Sequence, residues 1–112
     1  MWQRRGASKY NIGPRADRTA LGRVFDSKRE MVYALEFEQL KKTGEILELE
    51  YQPTLELIPR PNRITYRPDF RIVWRNGKQE YVDVKGMETD AFKLKKKLFA
   101  YAFPKETLVI LK

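Results

Sequence analysis

The sequence predicts an α/β domain: a central mixed sheet flanked by helices, in the order helix, three strands, helix, strand. Three observations predict it. A capped helical stretch over 28–42 ends at Gly44. A turn signal, Arg75-Asn76-Gly77, joins two extended runs. A second capped helical stretch stops before Pro104 and leads into the apolar run Thr107–Leu111. With 112 residues, 42% of them hydrophobic, one domain with one modest core is expected.

Residues 1–24 are polar, carry Gly6, Gly13, Pro14 and Gly22, and show no sustained periodicity. They read as a basic arm, disordered or tracking phosphates, ahead of a single domain over 25–112. Ser27 with Glu30 three residues on fits a capping box, which starts a helix from about Lys28 to Lys42. Tyr33, Ala34, Phe37 and Leu40 form its inward stripe, with Glu30 at the head. Ile46–Tyr51 alternates as a strand does, Pro53 interrupts it, and 54–58 continue extended. Pro59-Arg60-Pro61-Asn62 is a turn. Ile64 to Trp74 is a second extended run, and Gln79 to Lys85 returns from the hairpin. Thr89-Asp90 caps a helix from about Asp90 to Phe103, with Ala91, Leu94, Leu98 and Ala102 as its apolar stripe. Thr107–Leu111, almost wholly apolar, reads as a strand buried on both faces and parallel to its neighbour.

Composition excludes several classes of function. There is no cysteine and no histidine. That removes disulfides, thiolate zinc sites, histidine general bases and imidazole ligands. A catalytic metal would have to be held by oxygen, which favours Mg²⁺ or Mn²⁺. No apolar run approaches the roughly 20 residues that span a bilayer. Met1-Trp2-Gln3-Arg4-Arg5 lacks the apolar stretch of a secretory signal, so a cytoplasmic location is expected. The net charge of +8 makes a polyanion the natural partner. Arg4, Arg5, Lys9, Arg15, Arg18 and Arg23 concentrate it ahead of Phe25.

The candidate chemistry lies at Pro68-Asp69 and Asp83-Val84-Lys85. Strands alternate their side chains, so Asp83 and Lys85 share a face. Asp69 meets Asp83 only in one hairpin register. If Asn76-Gly77 is a two-residue turn, Asp69 opposes Val84 and the acids point apart. If Arg75-Asn76-Gly77 is a three-residue loop with a left-handed Gly77, Asp69 lies opposite Asp83. Two facing carboxylates are costly unless a cation neutralises them. A divalent ion would do so, with the Val84 carbonyl as a further ligand, and would activate a water. Lys85 could orient that water or steady charge on a phosphate. Glu30 either closes the helix or joins the metal ligands. Lys93, Lys96 and Lys97 on the second helix are either a solvated face or a phosphate-contacting ridge. Thr89 is a cap that could also touch a phosphate, and the Gln52 side chain could face the site.

On these residues the chain resembles the PD-(D/E)XK nuclease superfamily, whose restriction-endonuclease-like αβββαβ core would cover residues 26–112. It is also similar to small phage-encoded proteins of that superfamily. The shared residues are Phe25-Asp26-Ser27-Lys28, Glu30, Leu49, Gln52-Pro53, Leu57, Tyr66, Asp69-Phe70 and Asp83-Val84-Lys85-Gly86. Such proteins are similar to Holliday junction resolvases. The resemblance implies Mg²⁺-dependent cleavage by a homodimer, with catalytic roles for Glu30, Asp69, Asp83 and Lys85. Asp83 departs from the glutamate more usual at its position. The expected function is a structure-selective endodeoxyribonuclease acting on branched DNA. The alternatives are a nicking or sequence-specific endonuclease on duplex DNA, and a non-catalytic DNA-binding module.

Overall fold

The Ser27 side chain accepts the Glu30 N–H (3.1 Å) and starts α1, Lys28–Lys42. This comes from a computed structural model that describes residues 14–112. Gly44, at φ 87°, turns the chain out of the helix, and the Glu45 N–H closes back on the Leu40 carbonyl (2.9 Å). Both signals act as their sequence predicts. Ala34 and Phe37 are buried, and Tyr33 and Leu40 pack beside them.

Of the expected arm, residues 14–24 are described, and these carry regular structure. After a 3₁₀ turn at Arg15–Arg18, β1 (Thr19–Ala20) and β2 (Arg23–Val24) form a small hairpin. Leu21 (φ 55°) and Gly22 (φ 75°) turn it, the pair of positive φ angles that a tight hairpin requires. The aperiodic sequence hid this hairpin because each strand is only two residues long.

The main sheet has the order β3-β6-β7-β8. Its strands are β3 (Ile46–Tyr51), β6 (Phe70–Trp74), β7 (Gln79–Val84) and β8 (Thr107–Leu111). β6 runs antiparallel to β3 and β7, and β8 runs parallel to β7. The fold is therefore α/β, with a mixed central sheet and, among the described residues, two α-helices. The expected extended run from Ile64 to Trp74 is split. Pro68 has no N–H to donate, and the chain leaves pairing at Arg67-Pro68-Asp69. β4 (Leu55–Ile58) and β5 (Ile64–Tyr66) pair with each other in a separate hairpin.

The sheet separates two apolar clusters. Phe25, Ala34, Phe37 and Ile46 pack with Phe70, Ile72 and Val82 on the α1 side. Leu57 and Tyr66 of the β4–β5 hairpin pack with Phe92 and Phe99 of α2 (Asp90–Ala102) on the other. The α2 stripe is rotated from the one expected. Phe92 and Phe99 are buried, Ala91 is exposed, and Leu94 is 56% exposed. Phe92, Phe99 and Phe103 also fall at helical spacing, and aromatic rings bury far more apolar area than alanines. β8 is another correction. All five of its residues are half-buried rather than enclosed. Val109 and Leu111 face one cluster and Leu108 and Ile110 the other, but β8 is the edge of the sheet. Among the described residues no helix is long and apolar enough to cross a membrane.

Candidate metal centre

The hairpin register brings the acids together. The Trp74 N–H donates to the Lys78 carbonyl (2.9 Å), so Arg75-Asn76-Gly77 is a three-residue loop, with Gly77 at φ 88°. Phe70 pairs with Val82 and Arg71 with Tyr81. Continuing that ladder by one residue sets Asp69 opposite Asp83. The two-residue alternative, which would have separated them, is not formed.

Each carboxylate has a different setting. Asp69 accepts the Val84 N–H on Oδ2 (2.8 Å). Asp83, 2% exposed, takes a short hydrogen bond from the Tyr66 hydroxyl. Its other oxygen lies 3.7 Å from Lys85 Nζ, as the shared strand face of Asp83 and Lys85 requires. Lys85 Nζ also sits 4.8 Å above the Phe92 ring. Glu30 is 4% exposed at the head of α1. One oxygen each from Asp26, Glu30 and Asp69 lies within 4.8 Å of the others. Hard divalent cations hold oxygens at about 2.0–2.6 Å, so this spread matches the width of one coordination shell. An all-oxygen set, two of whose three members are buried, suits such a cation.

The electrostatics agree. Burial, then Asp26 and Asp83, push the Glu30 carboxyl up from 4.5 to about 7, with Lys85 and the Asp26 backbone opposing. Burial, then Asp83 and Glu30, raise Asp69 strongly, with the Val84 N–H opposing. Desolvation and mutual repulsion thus favour protons at these carboxyls, and a divalent cation would remove both penalties. Burial and the contact to Asp83 raise the Tyr66 phenol, which keeps it a donor.

An open cleft of about 910 Å³ exposes the group. Asp26, Glu30, Asp69, Val84 and Lys85 line it; Asp83, which is buried, does not. The structure therefore brings Glu30, Asp69, Asp83, Val84 and Lys85 to one end of the sheet, and adds Asp26. Sequence reasoning quoted Asp26 and Tyr66 within motifs and assigned them no role. The available signals were that Asp26 is one helical turn before Glu30 and that Tyr66 is three residues before Asp69.

The remaining candidates are scattered. Thr89 lines the cleft and caps α2, accepting the Phe92 N–H (3.1 Å). Lys93, Lys96 and Lys97 do not line it; Lys96 pairs with Glu88 (2.6 Å). Gln52, at φ 50°, takes a hydrogen bond from Arg67 (2.7 Å) instead of facing the acids. Arg18 donates to the Phe25 carbonyl (2.5 Å), and Arg23 stacks 3.8 Å over the Tyr51 ring. Both contacts tie the β1–β2 segment to the domain. Arg15 is exposed in the 3₁₀ turn. Arg4, Arg5 and Lys9 lie outside the described residues.

The chain belongs to the family described as protein of unknown function DUF1064, which matches residues 7–112. No match was found among curated proteins.

Proposed function

We propose that this protein is a metal-dependent endodeoxyribonuclease of the PD-(D/E)XK type, selective for branched DNA and acting on four-way junctions. One observation carries the reading: Asp69 and Asp83 meet across the hairpin, with Lys85 beside Asp83 and Glu30 and Asp26 closing on Asp69. Mg²⁺ is the cation that fits an oxygen-only set in a protein without histidine or cysteine, and Mn²⁺ substitutes for it.

Such a cation supplies charge neutralisation and water activation for attack on a phosphodiester. The protein does the rest. The Val84 N–H fixes the Asp69 carboxylate. Tyr66 fixes Asp83, which in turn holds Lys85 at the strand end. The Lys85 ammonium is then placed to orient a water or to stabilise charge on the phosphate. Water adds at phosphorus, the phosphorus–oxygen bond breaks, and the ends are a phosphate and a hydroxyl. A homodimer would set two such sites on a two-fold substrate.

The test offers the protein a labelled four-way junction, a flap, a nicked duplex and a linear duplex, in Mg²⁺ and in EDTA. Cutting of the junction in Mg²⁺ alone is expected. Equal cutting of all four removes branch selectivity, and no cutting of any removes the nuclease reading in favour of a binding module.

A further inference from the structure

The cleft carries cations that the carboxylates do not use. Lys28 and Arg29, in the first turn of α1, both line it. Among the described residues neither forms an ion pair or a side-chain hydrogen bond. Asp26 is only three residues from Arg29 and is exposed, yet they do not pair. Arg29 instead reaches across the cleft to the end of β7. Its Nη1 lies 3.7 Å from where a β-carbon on Gly86 would stand. The guanidinium therefore lies beside Gly86, one residue beyond Lys85, in the cleft that Asp26, Glu30 and Asp69 also line. A fork of N–H donors there, beside a metal-binding cluster, suits a phosphate oxygen. The α1 N-terminus adds a favourable field for negative charge.

We infer that Arg29, with Lys28 beside it, is the phosphate grip of this cleft: it holds a backbone phosphate of the DNA strand next to the one at the carboxylates. The strand accordingly enters over the α1 N-terminus rather than across the α2 lysines. Lys93 and Lys97 are exposed away from the cleft, and Lys96 is engaged by Glu88. This rests on the reading of the cleft as a phosphodiester site. A continuous strand supplies a further phosphate beside the one at the carboxylates.

The test measures binding of a labelled junction and a linear duplex by fluorescence anisotropy in Ca²⁺, across a salt series. The variants are Arg29→Ala, Lys28→Ala and, as an equal-charge control, Lys42→Ala. Lys42 lies at the far end of α1, about 20 Å from Arg29 at the helical rise. Arg29→Ala should weaken binding several-fold and lower the salt slope by about 0.9, the value of one phosphate contact; Lys42→Ala should leave the slope unchanged. Thermal melting confirms that each variant folds. Wild-type slopes in Arg29→Ala, or equal losses in Arg29→Ala and Lys42→Ala, overturn the inference, as does a wild-type protein that binds no DNA. Cleavage in Mg²⁺ is scored separately. A protein that cuts but shows no Arg29 effect keeps the nuclease reading and loses this one. A protein that never cuts but binds through Arg29 does the reverse.

Discussion

Asp69 and Arg71 are two residues apart, one just before β6 and one within it, and their surroundings differ completely. Arg71 is matched. Its guanidinium meets Glu50 (2.7 Å), Glu48 (2.8 Å) and Gln79 (2.8 Å), and both glutamates are more than half exposed. Water screens such a network, and each charge has its counterpart. Asp69 is buried beside two other buried acids, Asp83 and Glu30, and its direct hydrogen bond comes from a neutral backbone N–H. Lys85 is the only cation paired with this trio among the described residues, through Asp83. The first arrangement is complete as it stands. The second crowds three buried acids, two of which burial and repulsion push towards their protonated forms, an arrangement that folding alone gives no reason to build. A partial site of that kind is completed by a ligand of opposite charge.

Substitutions can break or sharpen this contrast. The largest effect is expected at Asp69. Asp69→Asn keeps the shape and removes a carboxylate from the proposed metal site, so the proposed cleavage should fall about 10³-fold, the loss of several kcal/mol of charge stabilisation. Its melting temperature should hold or rise, since a buried acid whose ionisation is disfavoured by burial and by its neighbours is gone. A large loss of both folding and activity would make Asp69 a structural residue instead.

Next in size is the response to pH. Glu30 is raised in the folded state from 4.5 to about 7, so between those values the folded protein binds more protons than the unfolded chain. Its stabilisation is therefore full below about 4.5 and is lost as pH rises through about 7. One pKa unit is about 1.4 kcal/mol, so Glu30 alone contributes on the order of 3 kcal/mol across that window. Asp69 shifts in the same direction. Metal-free melting temperature should fall from pH 5 to pH 8, and added Mg²⁺ should raise it more at pH 8. A Mg²⁺ increment independent of pH would count against these carboxyls as ligands.

Tyr66→Phe is expected to have an intermediate effect. Asp83 keeps Lys85 but loses its phenol donor. Loss of an outer partner of this kind typically weakens metal binding by about 10–100-fold. Calorimetric titration with Mn²⁺ reads it directly; unchanged affinity would place Tyr66 in the core alone. The smallest effect belongs to Arg71→Met. Exposed pairs contribute roughly 0–1 kcal/mol, so chemical denaturation should show a shift within that range, with metal affinity untouched. A loss of metal binding in Arg71→Met would erase the distinction between the two clusters.

Much of the architecture was legible because it is local. Ser27, Gly44, Thr89 and Gly77 act through neighbours within a few residues, and each does in the structure what its type requires. The meeting of Asp69 with Asp83 could be reduced to a choice between two turns. What was not legible depends on neighbours distant in sequence. Tyr66 and Asp83 are seventeen residues apart and belong to different sheets. The run through Pro68 reads as one strand until tertiary pairing assigns its halves to separate partners. The α2 face was misjudged because alanines and leucines share a helical period with Phe92 and Phe99, and only the volume offered by Leu57 and Tyr66 decides which set is buried.

The sequence by itself determined the two helices with their caps, the glycine of the three-residue loop, the absence of histidine and cysteine, and the positions of the acids and of Lys85. Those follow from residue type and short-range spacing. Only the tertiary structure decided that Asp26, rather than Asp83, completes the group of three oxygens, that Tyr66 secures Asp83, and that Arg29 crosses to Gly86. The first and third depend on how the N-terminus of α1 docks on the end of β7, and the second on how the β4–β5 hairpin packs against β7. Packing of the whole core sets that relation, and it leaves no periodic trace in the chain.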